Sequence, residues 1–356
     1  MKNLFINIGL LCTTIILFFG GIELALRVTG LQTTKPNPPN IFQKSHYSEI
    51  SYELIPNIKE KAYRSIVTTN SLGFRSSEID PQKPIIAVLG DSIAFGYGLG
   101  DSETIPAHLA DLLPDWNVLN TAAPGYDLKV QTAIYREKLN HLHPDILLLI
   151  FHPNDLEGVG IGFLDKDGII RPQEWTPTTP QCDPIQHGIL GYLPGRCFAD
   201  IHSAFYKVIK KLVNSRYRQQ QLIEMRETSK ENTDKEEITD VQLTQYAIDL
   251  DHMIQILPPS LPRLFVIWPD RKVHAIARPK LINIVKKRGF HVIDLYNIFG
   301  NAAPTLSWDT VHPNAETAKK GAEEIFRLIQ EQNLLPFSPP LSPLHQGVGT
   351  TPGDGN

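Results

Sequence analysis

The amino-acid sequence predicts an α/β fold that is built on a central parallel sheet. Two short, unbroken apolar runs, Ile85–Leu89 and Ile146–Phe151, are typical of strands buried on both faces. Stretches in which apolar residues recur at helical spacing, such as Leu128–Leu142, lie between these runs. Strands that alternate with helices indicate βαβ units, in which neighbouring strands run parallel.

Length and composition are those of a packed globular protein. The chain has 356 residues, enough for one large domain or two modest ones, and 42% of them are hydrophobic. The formal net charge is −4, which argues against a protein that binds nucleic acid through its overall electrostatic field. We therefore expect no nucleic-acid partner.

The N-terminus carries an apolar segment, Leu4–Leu26, that is long enough to cross the hydrocarbon core of a bilayer. No A-x-A cleavage pattern follows it, so residues 1–28 are predicted to be an uncleaved transmembrane anchor. A buried core helix is the alternative. A single span leaves the rest of the chain on one side of the membrane, and we expect that side to be the periplasm or the cell surface.

Residues 29–83 are predicted to be a linker and an N-terminal extension. The run Lys35–Asn40 (KPNPPN) is typical of a stiff spacer. The remainder indicates one or two short strands at the edge of the main domain. Arg75 lies in this extension and is predicted to be on the surface, because isolated arginines are usually exposed.

The main domain is predicted over residues 84–334, with an insertion at about 158–239 that breaks the alternation of strands and helices. The insertion begins as a Pro-rich loop and includes a predicted helix, Ala204–Met225. Its Cys182 and Cys197 either form a disulfide or are unrelated thiols, and two cysteines alone are too few for a structural zinc. Residues 335–356 are rich in Pro, Gly and Ser and are predicted to be a disordered tail.

The same reasoning places the other elements of the main domain. Further helices are predicted at Thr104–Leu113, Val241–Ile256, Ala275–Lys287 and Ala315–Gln330, and further strands at Asn117–Leu119, Leu264–Trp268 and His291–Leu295.

Four polar clusters stand where strands or their following loops should end: Asp91-Ser92, Pro124-Gly125, Asn154-Asp155 and Asp309…His312. Parallel strands bring their carboxyl ends to one edge of the sheet, which is where open α/β sheets place their chemistry. We therefore expect these clusters to meet. A plain turn is the alternative for Gly90-Asp91-Ser92 taken alone.

The residue types in these clusters are those that acyl transfer requires. Ser92 is the candidate nucleophile, His312 the base that takes its proton, and Asp309 the carboxylate that orients the imidazole. The Ser92 N–H, the Gly125 N–H and the Asn154 side-chain amide are the candidate donors of an oxyanion hole.

The four clusters resemble the sequence blocks of the SGNH hydrolases, also called the GDSL family of esterases and lipases. Gly90-Asp91-Ser92 resembles the first block, Gly125 the glycine of the second, Asn154 the asparagine of the third, and Asp309-Thr310-Val311-His312 the D-x-x-H of the last. The resemblance covers Pro84 to about Ile329, leaving the insertion unmatched. His152 stands where the family usually has glycine.

The resemblance implies a three-layer α/β/α flavodoxin-like fold and ester chemistry without metal or cofactor. The N-terminal anchor and the Asn70–Arg75 segment are similar to a bacterial membrane-anchored branch that is often linked to envelope polysaccharides. The leading hypothesis is a serine esterase that removes acyl groups, such as acetyl groups, from an envelope glycan. An O-acyltransferase that uses the same acyl-serine and a non-catalytic envelope binding protein are the alternatives.

Overall fold

The computed structural model describes residues 2–29, 40–156, 162–165, 168–171, 188–228 and 238–335. The predicted tail beyond 335, residues 35–39 of the predicted spacer and much of the insertion lie outside these ranges. Cys197 is part of a disulfide, but Cys182, its predicted partner, also lies outside the described residues. The division of the chain into anchor, extension and main domain stays a prediction.

The strands and helices are numbered in chain order. The strands are β1 (Phe42–Lys44), β2 (Tyr52–Leu54), β3 (Lys59–Ala62), β4 (Ser65–Thr68), β5 (Ile85–Gly90), β6 (Asn117–Asn120), β7 (Ile146–Phe151), β8 (Phe163–Leu164), β9 (Ile170–Arg171), β10 (Arg263–Ile267) and β11 (Phe290–Asp294). The helices are α1 (Lys2–Thr29), α2 (Ser92–Phe95), α3 (Ile105–Leu112), α4 (Leu128–Ile134), α5 (Arg196–His202), α6 (Ala204–Thr228), α7 (Asp240–Ile256), α8 (Ala277–Lys286), α9 (Tyr296–Phe299) and α10 (Ala315–Glu331).

Five strands form one parallel sheet in the order β6-β5-β7-β10-β11. Counted along the chain this order is 2-1-3-4-5, the flavodoxin-like order. The central strands β5 and β7 are buried along their whole length, as their unbroken apolar runs require. The predicted α/β fold with a parallel sheet is therefore confirmed.

Helices cover both faces of the sheet. The β5–α3–β6 crossover runs in the opposite direction to the crossovers through α4, α7 and α8, and right-handed crossovers of opposite direction lie on opposite faces. In agreement, α10 packs against α3, whereas α7 packs against α4 and α8. The sheet is thus the middle layer of the three-layer α/β/α sandwich that the resemblance implied.

The helix expected over residues 128–142 is not uniform. It begins as α4, widens into one π-helical turn over Tyr135–Leu139, and ends as a 3₁₀ turn over Asn140–Leu142. Tyr135 and Leu139, at the two ends of the wide turn, are both buried against the core.

The N-terminal extension contains four short strands rather than the one or two expected. β1 pairs with β2, and β3 pairs with β4, each pair antiparallel. Arg75, which follows these strands, is buried at 5% exposure, so its predicted surface position is wrong. Its guanidinium forms an ion pair with Asp101 and donates to the backbone carbonyls of Phe95, Gly96 and Leu99.

Helix α1 is long and apolar enough to cross a membrane, and none of its spanning residues is buried. Its C-terminal part contacts the insertion. Glu23 accepts hydrogen bonds from the backbone N–H groups of Ala204 and Phe205 at the start of α6, where a helix dipole favours negative charge. The ring of Phe19 lies 5.7 Å from the ring of Phe205.

Candidate active site

Ser92 lies at the carboxyl end of the central strand β5, as the first residue of the short helix α2. The Asp91 side chain caps this helix by accepting the N–H of Ile93 at 2.8 Å. Gly90 makes the sharp turn possible, because its φ is +157° and a Cβ there would lie 2.9 Å from the carbonyl oxygen of Ile150. The serine hydroxyl is therefore held at the sheet edge by a tight strand-to-helix turn.

His312 and Asp309 lie on the loop between α9 and α10. The loop is closed at its base by a β-bridge between Thr305 and Pro313 and by a hydrogen bond from the Leu306 N–H to the His312 carbonyl. The two closures fix the path of the backbone that carries the candidate base and its carboxylate.

The three predicted side chains meet. His312 Nε2 lies 2.9 Å from Ser92 Oγ, and His312 Nδ1 lies 2.9 Å from Asp309 Oδ2. Both separations are hydrogen-bond distances, so a continuous chain runs from the carboxylate through the imidazole to the hydroxyl. Ser92 is 9% exposed, and the His312 and Asp309 side chains are 14% and 18% exposed.

The Asp309 carboxylate is held in its ionised form. Burial raises its pKa, but hydrogen bonds from the His312 ring and from the backbone N–H groups of His312 and Val311 outweigh burial and lower the pKa to about 2. Because Nδ1 faces an ionised acceptor, it carries the ring proton, and Nε2 is left as the acceptor that faces Ser92 Oγ.

Gly125 lies in the loop after β6, beside the N-terminal extension. Its φ is +83°, and a Cβ at this position would lie 2.8 Å from the hydroxyl of Tyr52. That hydroxyl donates to the Pro124 carbonyl at 2.6 Å. The position therefore accepts only glycine without rearrangement.

Asn154 lies directly after β7, next to the Asp91-Ser92 turn. Its Nδ2 donates to Asp91 Oδ2 at 3.0 Å. Since the amide nitrogen carries two hydrogens, one donor remains beyond this bond. Asn154 therefore stands beside Ser92, as its position at a strand exit predicted.

Two residues support this arrangement through contacts that the sequence analysis did not predict. Asp91 connects the nucleophile turn to Asn154, and His152 Nδ1 lies 2.7 Å from Asn154 Oδ1. Because an amide oxygen only accepts, the His152 ring donates here and orients the amide towards Asp91. The sequence signal for His152 was its place where the resembling family has glycine.

Asp155 contacts the backbone of its own loop. Its Oδ2 accepts the His152 N–H at 3.4 Å. Burial, together with the nearby charge of Asp91, raises the pKa of Asp155 well above its usual value.

Aromatic rings cover the exposed side of the imidazole. The ring of Tyr97 stacks on that of His312 with centroids 4.3 Å apart, and Trp308 lies 5.8 Å from Tyr97. Nothing in the sequence patterns pointed to these rings. Within the described ranges, no group of three or more His, Cys, Asp or Glu side chains is arranged to hold a metal ion.

No family model and no curated protein matches this chain. Similar solved structures include TesA, at 13% identity over 70% of this chain and 99% of that one, with a TM-score of 0.41. Others are the esterase EstA from a Pseudoalteromonas species (13%, 70% and 99%, TM-score 0.40) and a member of the lipolytic G-D-S-L family from Veillonella parvula (11%, 69% and 98%, TM-score 0.38).

The last two are named as an esterase and a lipolytic protein, which are the kinds of protein that the sequence motifs resemble. At such identities, and with TM-scores below 0.5, these structures add nothing to what the strand order and the site of this chain support by themselves.

Proposed function

We propose that this protein is a serine esterase of the SGNH/GDSL type that hydrolyses acyl esters. The observation that carries the proposal is the chain of two 2.9 Å contacts that joins Asp309, His312 and Ser92. A hydroxyl, an imidazole and a carboxylate in this order are the requirement for an activated serine nucleophile.

The proposed reaction has two halves. Ser92 Oγ attacks the ester carbonyl while His312 Nε2 takes its proton, and the resulting imidazolium is stabilised by ionised Asp309. His312 then returns the proton to the leaving alcohol, which leaves an acyl-serine. Water, activated by the same imidazole, attacks the acyl-serine, releases the acid and restores the hydroxyl.

Three donors are proposed to stabilise the oxyanion. The Ser92 N–H belongs to the first turn of α2 and so has no acceptor within that helix. The Gly125 N–H and the second hydrogen of the Asn154 amide complete the set. The hydrogen bonds from Asn154 to Asp91 and from His152 to Asn154 support this role, because they fix the amide before substrate binds.

The test is hydrolysis of p-nitrophenyl acetate by the full chain and by Ser92→Ala. We expect Ser92→Ala to abolish turnover with an unchanged melting temperature. Ser77→Ala, which alters an exposed serine of the N-terminal extension, is the matched control and should keep the wild-type rate. A fluorophosphonate probe should label wild type at Ser92 only. Turnover by Ser92→Ala at the wild-type rate would reject the proposal, and an intact protein that takes no label would favour a binding role.

The substrate class that we propose is an acylated envelope glycan, on the basis of the motif resemblance to the membrane-anchored branch. Hydrolysis and transfer to a sugar hydroxyl would share the acyl-serine, so product analysis separates them. Incubation with an acylated donor and an unacylated oligosaccharide should release free acid. Acyl groups recovered on the oligosaccharide instead would identify an O-acyltransferase.

We also propose that α1 anchors the domain at a membrane, with residues 84–334 outside the cytoplasm. The apolar, unburied surface of α1 supports the anchor, and the contact of Glu23 with α6 would hold the domain close to the bilayer. Full-length protein should float with liposomes, whereas a chain without residues 2–29 should stay in the soluble fraction. Protease added to spheroplasts, whose outer membrane is opened, should digest the domain, and protection there would reverse the proposed orientation.

A further inference from the structure

The hairpin of β3 and β4 ends in an unusual turn beside the candidate site. Ala62 pairs with Ser65, so Tyr63 and Arg64 form a two-residue loop. Both residues have positive φ, +52° and +71°, which is the pattern of a type I′ turn. Such turns are normally made by Asn-Gly or Asp-Gly, because side chains larger than these are strained in this conformation. Strained turns persist where surrounding contacts hold them, and they cluster at functional sites.

Side-chain contacts hold this turn against the candidate active site. The Tyr63 ring lies 4.2 Å from the Tyr97 ring, and the Tyr97 ring is the one that stacks on His312. The Arg64 guanidinium lies over the ring of Trp308, 4.5 Å from its centroid. Trp308 immediately precedes Asp309. The turn is thus joined through Tyr97 to the imidazole, and it contacts Trp308, the residue before Asp309.

Arg64 is exposed, and among the described residues no carboxylate forms an ion pair with it. Stacking on an indole orients the plane of a guanidinium and leaves its N–H edges free to donate. Two parallel N–H groups in one plane match the geometry of a carboxylate. The turn therefore presents a pre-oriented cation next to the candidate site, at the expense of backbone strain.

We propose that Arg64, seated on Trp308, is an anion subsite that binds a carboxylate group on the ester substrate. This inference rests on the proposed esterase function and narrows its substrate class to esters that carry a carboxylate. The carboxylate can belong to the acyl half, as in a succinyl ester, or to the alcohol half, as in an O-acetylated uronic acid. Both halves offer the same group to Arg64, and only the position of the ester bond differs.

Matched substrate pairs test the inference and separate the two sources. For the acyl half, mono-p-nitrophenyl succinate is compared with p-nitrophenyl acetate. For the alcohol half, a methyl O-acetylglucuronoside is compared with the methyl O-acetylglucoside, with released acetate as the readout. We expect wild type to prefer the carboxylate member of one pair, and that pair identifies the half that Arg64 binds.

The preference is measured as kcat/KM for the carboxylate ester divided by kcat/KM for its uncharged partner. Arg64→Gln should lower this ratio about tenfold, chiefly by raising KM for the carboxylate ester, because a charge-assisted hydrogen bond to the substrate is lost. Lys59→Gln removes the same charge from the far end of the same hairpin and should keep the wild-type ratio. A wild-type ratio near one in both pairs would overturn the inference. An Arg64→Gln ratio equal to wild type, or an equal fall in Lys59→Gln, would do the same.

Arg64→Gly distinguishes a role of Arg64 in binding the substrate from a role in stabilising the turn. Glycine adopts positive φ without strain, so the melting temperature should stay the same or rise while the ratio falls as in Arg64→Gln. A lower melting temperature, together with an equal fall in kcat/KM for both members of a pair, would instead show that Arg64 only stabilises the turn. Ser92→Ala distinguishes the two levels of proposal: if wild type hydrolyses all four esters without preference and Ser92→Ala hydrolyses none, only the anion subsite fails.

Discussion

The Asp309→Asn substitution tests whether the Asp309 carboxylate sets the tautomer of the His312 imidazole. Asp309 Oδ1 accepts the backbone N–H groups of Val311 at 2.6 Å and His312 at 2.8 Å, while Oδ2 faces His312 Nδ1 at 2.9 Å. Asparagine has only one acceptor oxygen. If its NH₂ group faced the two backbone donors, both hydrogen bonds would be lost, so the oxygen should stay there and the NH₂ should face Nδ1.

This orientation inverts the tautomer of the imidazole. A donor opposite Nδ1 forces that nitrogen to accept, which moves the ring proton to Nε2, and a protonated Nε2 cannot take the proton of Ser92. The equivalent change in a well-studied serine protease lowers kcat about 10⁴-fold, and we expect a loss of about 10³–10⁴-fold here. KM should change little, because Asp309 does not face the substrate. The melting temperature should fall by only a few degrees, because both backbone hydrogen bonds are kept and only the stabilisation of about 2 kcal/mol from the ionised carboxylate is lost.

The assay is steady-state hydrolysis of p-nitrophenyl acetate, with kcat and KM measured separately and with thermal unfolding of the same samples. Asp251→Asn is the matched control: it makes the same chemical change in a surface ion pair with Arg288 and should keep the wild-type kcat. A folded Asp309→Asn protein that loses less than tenfold in kcat would refute the tautomer argument.

Three further outcomes are expected. Asn154→Ala should lower kcat about 10²–10³-fold with KM nearly unchanged, as for the loss of one oxyanion donor. A kcat equal to that of wild type would show that Asn154 is not an oxyanion donor. Arg75→Met should lower the free energy of unfolding by about 3–5 kcal/mol in urea titrations, since it leaves buried carbonyls and Asp101 without their donor; a loss below about 1 kcal/mol would contradict that view. Because the pKa of Asp309 falls from 3.8 to about 2 on folding, its ionised form stabilises the fold above pH 4, and this contribution is lost as the pH falls towards 2. Between pH 5 and pH 2 wild type should therefore lose about 2 kcal/mol more stability than Asp309→Asn, and parallel pH profiles would show that the carboxylate is not held in this way.

The residues that the sequence located best are those at the ends of buried strands. Ser92 and Asn154 follow apolar runs that are typical of buried strands, and a parallel sheet brings the ends of such strands to one edge whatever the details of the packing. Gly125 and the Asp309–His312 pair lie in loops, and they were found by residue type and spacing rather than by periodicity. Their contacts, however, depend on loop paths that no local pattern encodes.

Other positions were misjudged or missed because their environment is built by distant parts of the chain. Arg75 has the sequence appearance of a surface residue, yet the carbonyls that it binds belong to the loop that follows Ser92. Tyr63 and Arg64 form a turn without turn-forming residue types, so only the paired strands and the rings of Tyr97 and Trp308 explain their conformation.

The sequence by itself predicted the α/β fold, the apolar N-terminal segment and the hydroxyl, imidazole and carboxylate of the candidate site, because burial periodicity, residue type and spacing are local properties of the chain. Only the tertiary structure decided which side chains hold Asn154, which rings cover His312 and which cation stands beside them. Apart from the contact of His152 with Asn154, those relations join residues that are tens to hundreds of positions apart, and such pairings arise from packing rather than from sequence neighbours.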